Sequence, residues 1–146
     1  MTRAGRVLGV DLGTRRIGLA LSDPSRTLAA PHEVVNRSGD DVADRRAILA
    51  AAREAEATTI VVGLPLSLSG ATGPAARAAL AEIEELRAAA GDEFEVVPHD
   101  ERLTTVVAER TLQEARMKRE ARRRVVDKVA AAVMLQSWLE SSGAKS

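Results

Sequence analysis

The chain has 146 residues, enough for one domain with a full core and too few for two comfortable ones. With no cysteine, one Phe, one Trp and no Tyr, it has no disulfides or thiolate metal sites and little means of stacking single-stranded bases on aromatic rings. The net charge is zero, which argues against a generally basic nucleic-acid binder.

The charge is unevenly spread. Residues 1–26 carry five basic and two acidic side chains, residues 27–98 six and twelve, and residues 99–146 ten and seven. Positive ends around a negative middle allow a polyanion at one face of the fold. No long uncharged apolar run suggests a transmembrane helix, and the N-terminus lacks the apolar core of a signal peptide. The expectation is a cytoplasmic protein without a membrane partner, folded as a single domain over residues 1–146.

In chain order, Val7 to Ser22 predicts two strands joined by a turn at Gly13-Thr14-Arg15-Arg16. Asp11 is a charge in an apolar strand, costly unless paired, hydrogen-bonded or bound to a metal, although Asp is also common where a turn begins. Gly9, Gly13 and Gly18 around it allow another backbone or a ligand to approach closely. Thr27 to Val35 predicts a third strand, at a sheet edge because of Pro31. Gly39-Asp40-Asp41 opens a helix to about Ala55. Thr58 to Gly63 is a β-branched strand, and Pro74 to about Ala90 is a helix opened by proline and closed by Gly91. Phe94 to Pro98 is a strand leading into His99-Asp100-Glu101-Arg102. Thr104 or Thr105 caps a helix to about Ala115. A charged connector, Arg116 to Arg122, precedes a last helix from about Arg123 to Glu140. A meander followed by βα units predicts a mixed sheet covered by helices on both faces, with sites at the carboxyl ends of its parallel strands.

Two further acids join Asp11. One comes from Asp100-Glu101, after a strand, where a polar loop is the plainer reading. Asp127 lies in a helix that is apolar nearly all round, on a face shared with Ala130, Ala131, Met134 and Trp138, or else forms a surface pair with Lys128. Three carboxylates gathered from a strand end, a strand–helix junction and a packed helix repel one another unless a cation lies among them. Oxygen donors without thiols suit Mg²⁺ or Mn²⁺. The loop Gly63 to Pro74 lies before a helix N-terminus, a place for phosphate, but lacks the lysine of a Walker loop. Arg116, Lys118, Arg119, Arg122, Arg123, Arg124 and Lys128 put seven positive charges within thirteen residues. Such a run is commonly a solvated face. Here it feeds the helix of the third acid, which puts a phosphate-contacting role beside that reading.

Val10-Asp11-Leu12-Gly13-Thr14-Arg15 with Gly18-Leu19-Ala20 resembles the YqgF (RuvX) family. So do Gly63-Leu64-Pro65-Leu66 with Gly70 and Gly73-Pro74, Asp100-Glu101-Arg102-Leu103-Thr104-Thr105, and Val125-Val126-Asp127-Lys128 with Gln136-Ser137. Members of that family are described as Holliday junction resolvases and as nucleases maturing the 5′ end of precursor small-subunit rRNA. The resemblance spans essentially the whole chain. It implies an α/β, RNase H-like fold: a mixed five-stranded sheet of a three-strand antiparallel meander plus two parallel strands, flanked by helices. It also implies a metal-dependent triad of Asp11, Glu101 and Asp127, with Asp100 as the lesser candidate for the second place. Ser67-Leu68-Ser69 departs from the family's pattern, so that loop is given no metal role.

The mechanism implied is phosphodiester hydrolysis assisted by two Mg²⁺ or Mn²⁺ ions. Asp11 would bridge them, Arg15, Arg16 and Arg102 would neutralise phosphate charge, and His99 would be a bystander. The substrate would be precursor rRNA or branched DNA. A resolvase would need a symmetric homodimer, whereas trimming an RNA end needs only a monomer. An ATP-binding protein of the actin or sugar-kinase type shares Asp-x-Gly-Thr on a strand–turn–strand. It needs two such domains and a second Asp-x-Gly motif, which this chain lacks. A non-catalytic ribosome-assembly module finds no support while all three acids are present.

Overall fold

A computed structural model describes residues 5–64, 73–100 and 119–141, with the backbone alone described over 119–125. The expected hairpin is β1 (Arg6–Leu12) and β2 (Arg16–Ser22), closed by the Gly13 N–H donating to the Arg16 carbonyl at 3.0 Å. A Cβ on Gly13 would stand 2.4 Å from that carbonyl oxygen, so only glycine fits there. β3 (Ala29–Asn36) completes the meander and lies at a sheet edge, where Pro31 costs no ladder hydrogen bond. β4 (Ala57–Leu64) pairs parallel to β1, and β5 (Glu95–Asp100) parallel to β4. The sheet order is β3-β2-β1-β4-β5, the mixed five-stranded arrangement expected.

The helices follow from their caps. α1 (Asp41–Glu54) begins where the Asp40 carboxylate accepts the Val42 and Ala43 N–H groups. α2 (Pro74–Ala90) has Pro74 in its first turn and ends at Gly91, whose φ of 58° is left-handed. α3 (Arg119–Glu140) begins four residues earlier than expected. Arg119-Glu120-Ala121-Arg122 are good helix formers, so the second half of the supposed connector is helix. The helix expected from Thr104 or Thr105 and most of the glycine-containing loop after β4 lie outside the described residues.

Strand alternation divides the core between the two faces of the sheet. Leu8, Val10, Ile17, Leu19, Ile60 and Val62 pack with Ile48, Leu49, Ile83 and Leu86 of α1 and α2. Val7, Ala20 and Val61 pack with Ala131, Met134, Leu135 and Leu139 of α3 on the other face. Each large side chain buried this way contributes about 1.5–3 kcal/mol.

The far end of α3 is held by Arg26, 8% exposed and with φ at 59°. Its Nε donates to the Gly5 carbonyl at 2.8 Å and its Nη2 to Thr59 Oγ1 at 2.9 Å, with the guanidinium 5.9 Å from the Trp138 ring centre. Gln136 ties the same helix to the start of β3, donating to the Thr27 carbonyl and accepting from the Ala29 N–H.

Candidate active site

Asp11 is the next-to-last residue of β1 and half-buried. Alternation along β1 places it with Val7 and Gly9, on the side of the sheet that α3 covers. In the antiparallel ladder its partner is Gly18. The absence of a side chain at Gly18 admits α3: a Cβ there would meet the Asp127 carbonyl oxygen at 2.1 Å. Cβ atoms of directly paired residues stand about 5 Å apart, so the Asp11 Cβ lies within roughly 8 Å of the Asp127 backbone. Glycine at 18 therefore brings a strand-end acid and a helical acid 116 positions apart in sequence to one spot. Gly9 repeats the device further along β1, where a Cβ would meet Leu135 Cβ at 2.9 Å.

The Asp127 carboxylate is engaged. Arg16, the first residue of β2, donates from Nε to Asp127 Oδ2 at 2.5 Å, with about a quarter of each side chain exposed. Arg16, expected to meet phosphate, is thus the counter-ion of an acid of the candidate triad. Asp127 is neither cut off from water nor half of a pair with Lys128, the half-buried next residue.

Val10 pairs with Val62 and Val62 with Pro98, so the next row across the parallel strands holds Asp11, Gly63 and His99. His99 Nε2 lies 3.1 Å from Ser137 Oγ of α3, and burial pushes its imidazole below the usual range against the pull of Asp100. This contact gives His99 and Ser137 a structural role that their sequence context did not signal. Asp100 is the last residue of β5, and alternation groups it with Val96 on the α1 and α2 side rather than with His99.

Other expected site residues are placed differently. Arg15, exposed at the hairpin tip, lines a separate cleft of about 630 Å³ on the α1 and α2 side, with Arg37, Asp41, Asp44 and Glu82. There Arg37 donates to the Gly13 carbonyl at 2.7 Å and pairs with Glu82. Arg119, Arg122, Arg123 and Arg124 lie on α3 before Asp127, their side chains beyond what is described. Glu101, Arg102 and Lys118 lie outside the described residues.

The described residues contain no group of three acids or histidines placed to hold a metal. What they contain fits one in kind: two acidic residues, Asp11 and Asp127, whose backbones approach across the side-chain-free Gly18, and a guanidinium already serving as a cation against the Asp127 carboxylate. Such oxygen donors suit a hard divalent cation.

Residues 5–141 match the family described as RuvX, Holliday junction resolvase. A relative from Roseiflexus sp. (strain RS-1) is 43% identical over 137 residues, covering 94% of this chain and 95% of its own length. One from Rhodococcus erythropolis is 44% identical, covering 93% of this chain and 78% of its own. Both bear the provisional name pre-16S rRNA nuclease. Among solved structures, Thermus thermophilus RuvC in complex with a Holliday junction substrate aligns with a TM-score of 0.52 at 16% identity, over 93% of this chain and 96% of that one. The yeast mitochondrial Holliday junction resolvase Ydc2 aligns with a TM-score of 0.55 at 12% identity, over 95% and 79%. At these identities the structural neighbours speak for the fold, which is RNase H-like. With its model matched from residue 5 to residue 141, the chain belongs to the RuvX family.

Proposed function

We propose that this chain is a divalent-metal-dependent nuclease, a single domain hydrolysing phosphodiester bonds of structured nucleic acid, with the 5′ end of precursor 16S rRNA as its substrate. The observation that carries this is the seating of Asp127 on Gly18, opposite Asp11, in a chain whose relatives are named for that reaction. Asp11, Glu101 and Asp127 would hold Mg²⁺ or Mn²⁺, whose chemistry there is to activate water and stabilise the leaving oxygen. The alternation of Asp100 toward the α1 and α2 side favours Glu101 for the second place. Asp11, on a rigid strand, fixes one side of the site, and Asp127, on a helix pinned by Arg26 and Gln136, fixes the other.

The basic start of α3, Arg119 to Lys128, together with Lys118 and Arg102, would meet the phosphates that flank the scissile bond. Such contacts position nucleic acid without reading its sugar. No helix among the described residues is long and apolar enough to cross a membrane, in keeping with a cytoplasmic site of action on ribosome precursors. The family's description favours a second reading, cleavage of four-way DNA junctions by a homodimer.

One experiment separates the two. The protein is incubated with a precursor 16S rRNA 5′ segment and with a four-way DNA junction, each in Mg²⁺, in Mn²⁺ and in excess EDTA. The proposal expects metal-dependent cutting of the RNA and little of the junction. Preferential, symmetric junction cutting supports the second reading, and undiminished cutting in EDTA would end the metal mechanism.

A further inference from the structure

We propose that Arg16 is a resident counter-ion of the metal site: it holds Asp127 in the metal-free protein, competes with the divalent cation for that carboxylate, and is released toward the substrate phosphate when the cation binds. The inference rests on the reading of Asp11, Glu101 and Asp127 as metal ligands. Arg16 stands where β2 begins, its carbonyl bonded to Gly13 N–H and its residue in register with Asn36 of β3. The backbone there is fixed by the hairpin, so the guanidinium can move only by side-chain rotation. Its contact with Asp127 bridges 111 positions of sequence through a single Nε donor.

Carboxylates brought together without a cation would repel one another, and a guanidinium against Asp127 offsets that repulsion. The same contact uses Oδ2, one of the two oxygens Asp127 could offer to a metal. A divalent cation must therefore displace Arg16 or share the carboxylate with it. Arg16 is about a quarter exposed, so rotation into water is open to it. A guanidinium has five donors in a planar fork that matches phosphate, so the released side chain has a partner once nucleic acid is bound. Arg16 would thus be a positioning residue that raises the metal concentration needed for loading and couples it to substrate.

The test uses the full chain without substrate, titrated with Mn²⁺ by calorimetry, with circular dichroism to confirm folding. Arg16→Gln should bind Mn²⁺ about two- to five-fold more tightly than the parent, the scale of one partly exposed ion pair. Arg16→Lys, which keeps the charge without the fork, should fall between. In an Asp127→Asn background, Arg16→Gln should bring no further gain. In an Asp11→Asn background, which is not expected to cut, Arg16→Gln should weaken nucleic-acid binding several-fold. A folded Arg16→Gln protein with unchanged or weaker Mn²⁺ affinity overturns the proposal. If Asp11→Asn and Asp127→Asn weaken Mn²⁺ binding in that case, the metal site stands and only the role of Arg16 falls. If neither weakens it, the metal reading fails and the role of Arg16 with it.

Discussion

Gly18→Ala is the smallest change that separates the two acids. The added methyl would stand 2.1 Å from the Asp127 carbonyl oxygen, against an ordinary limit near 3 Å, so α3 must retreat by about 1 Å. The obstacle is backbone on both sides, and no side-chain rotation relieves it. Overpacking of this kind costs about 1–3 kcal/mol. For a chain of this size that corresponds to a fall in Tm of roughly 2–12 °C. A misplacement of about 1 Å at a reacting centre can lower the rate by ~10²-fold. Melts and cleavage assays, the latter run well below the variant's Tm, should therefore show a folded protein with a disproportionate loss of activity. A Gly18→Ala protein with parental Tm and cleavage rate would refute the close seating of α3 and the pairing of acids built on it.

Replacing Arg122, Arg123 and Arg124 with alanine should weaken substrate binding and reduce the slope of log K against log salt by roughly 2–3, as about three phosphate contacts are lost; an unchanged slope would make the run a solvated face. Arg26→Met keeps the apolar stem but gives up the bonds to Gly5 and Thr59, and chemical denaturation should show a loss of roughly 1–3 kcal/mol. Asp23 is held well below the usual carboxylate range by the Leu28 N–H first, then by Ser25 and Thr27. Its folded value lies below its unfolded value of 3.8, so its stabilising contribution is present above that pH and is lost as pH falls below it. Asp23→Asn should accordingly lower stability near neutrality and flatten the acid limb of a pH–stability curve.

Local signals made most of the fold legible. Pro74 and Gly91 set α2 to the residue, because a first-turn proline and a left-handed glycine are short-range devices. Pro31 announced the edge strand, and the meander followed by βα units announced the mixed sheet. The start of α3 was harder. Charge along Arg116 to Arg122 suggests an exposed connector, yet helix propensity carries the helix back to Arg119. Within the site, Asp11 and Asp127 stood out as charges in apolar elements, and Gly18 as room for close approach. That the approaching group is the Asp127 carbonyl depends on the rotation and depth of α3 on the sheet, set by Gly9, Leu135 and Gln136 together. The Arg16–Asp127 pair and the His99–Ser137 contact arise from that same docking and have no sequence signal of their own. Nor did Arg15 and Arg16, adjacent in sequence, reveal that the first would line the cleft beside Arg37 while the second would pair with Asp127.

The most direct measurement is made on Asp11→Asn, which removes one charge at nearly constant volume. The variant and the parent are melted in EDTA and in Mn²⁺, and both are given the precursor rRNA substrate. The metal-free Tm should equal the parent's or exceed it, because one of the like charges at the site is gone. The rise in Tm with Mn²⁺ should be smaller, since ligand stabilisation follows affinity for the folded state. Cleavage should fall to background while nucleic-acid binding largely survives. A folded Asp11→Asn protein that gains as much from Mn²⁺ and still cuts at the parental rate would contradict the reading of Asp11 as a metal ligand.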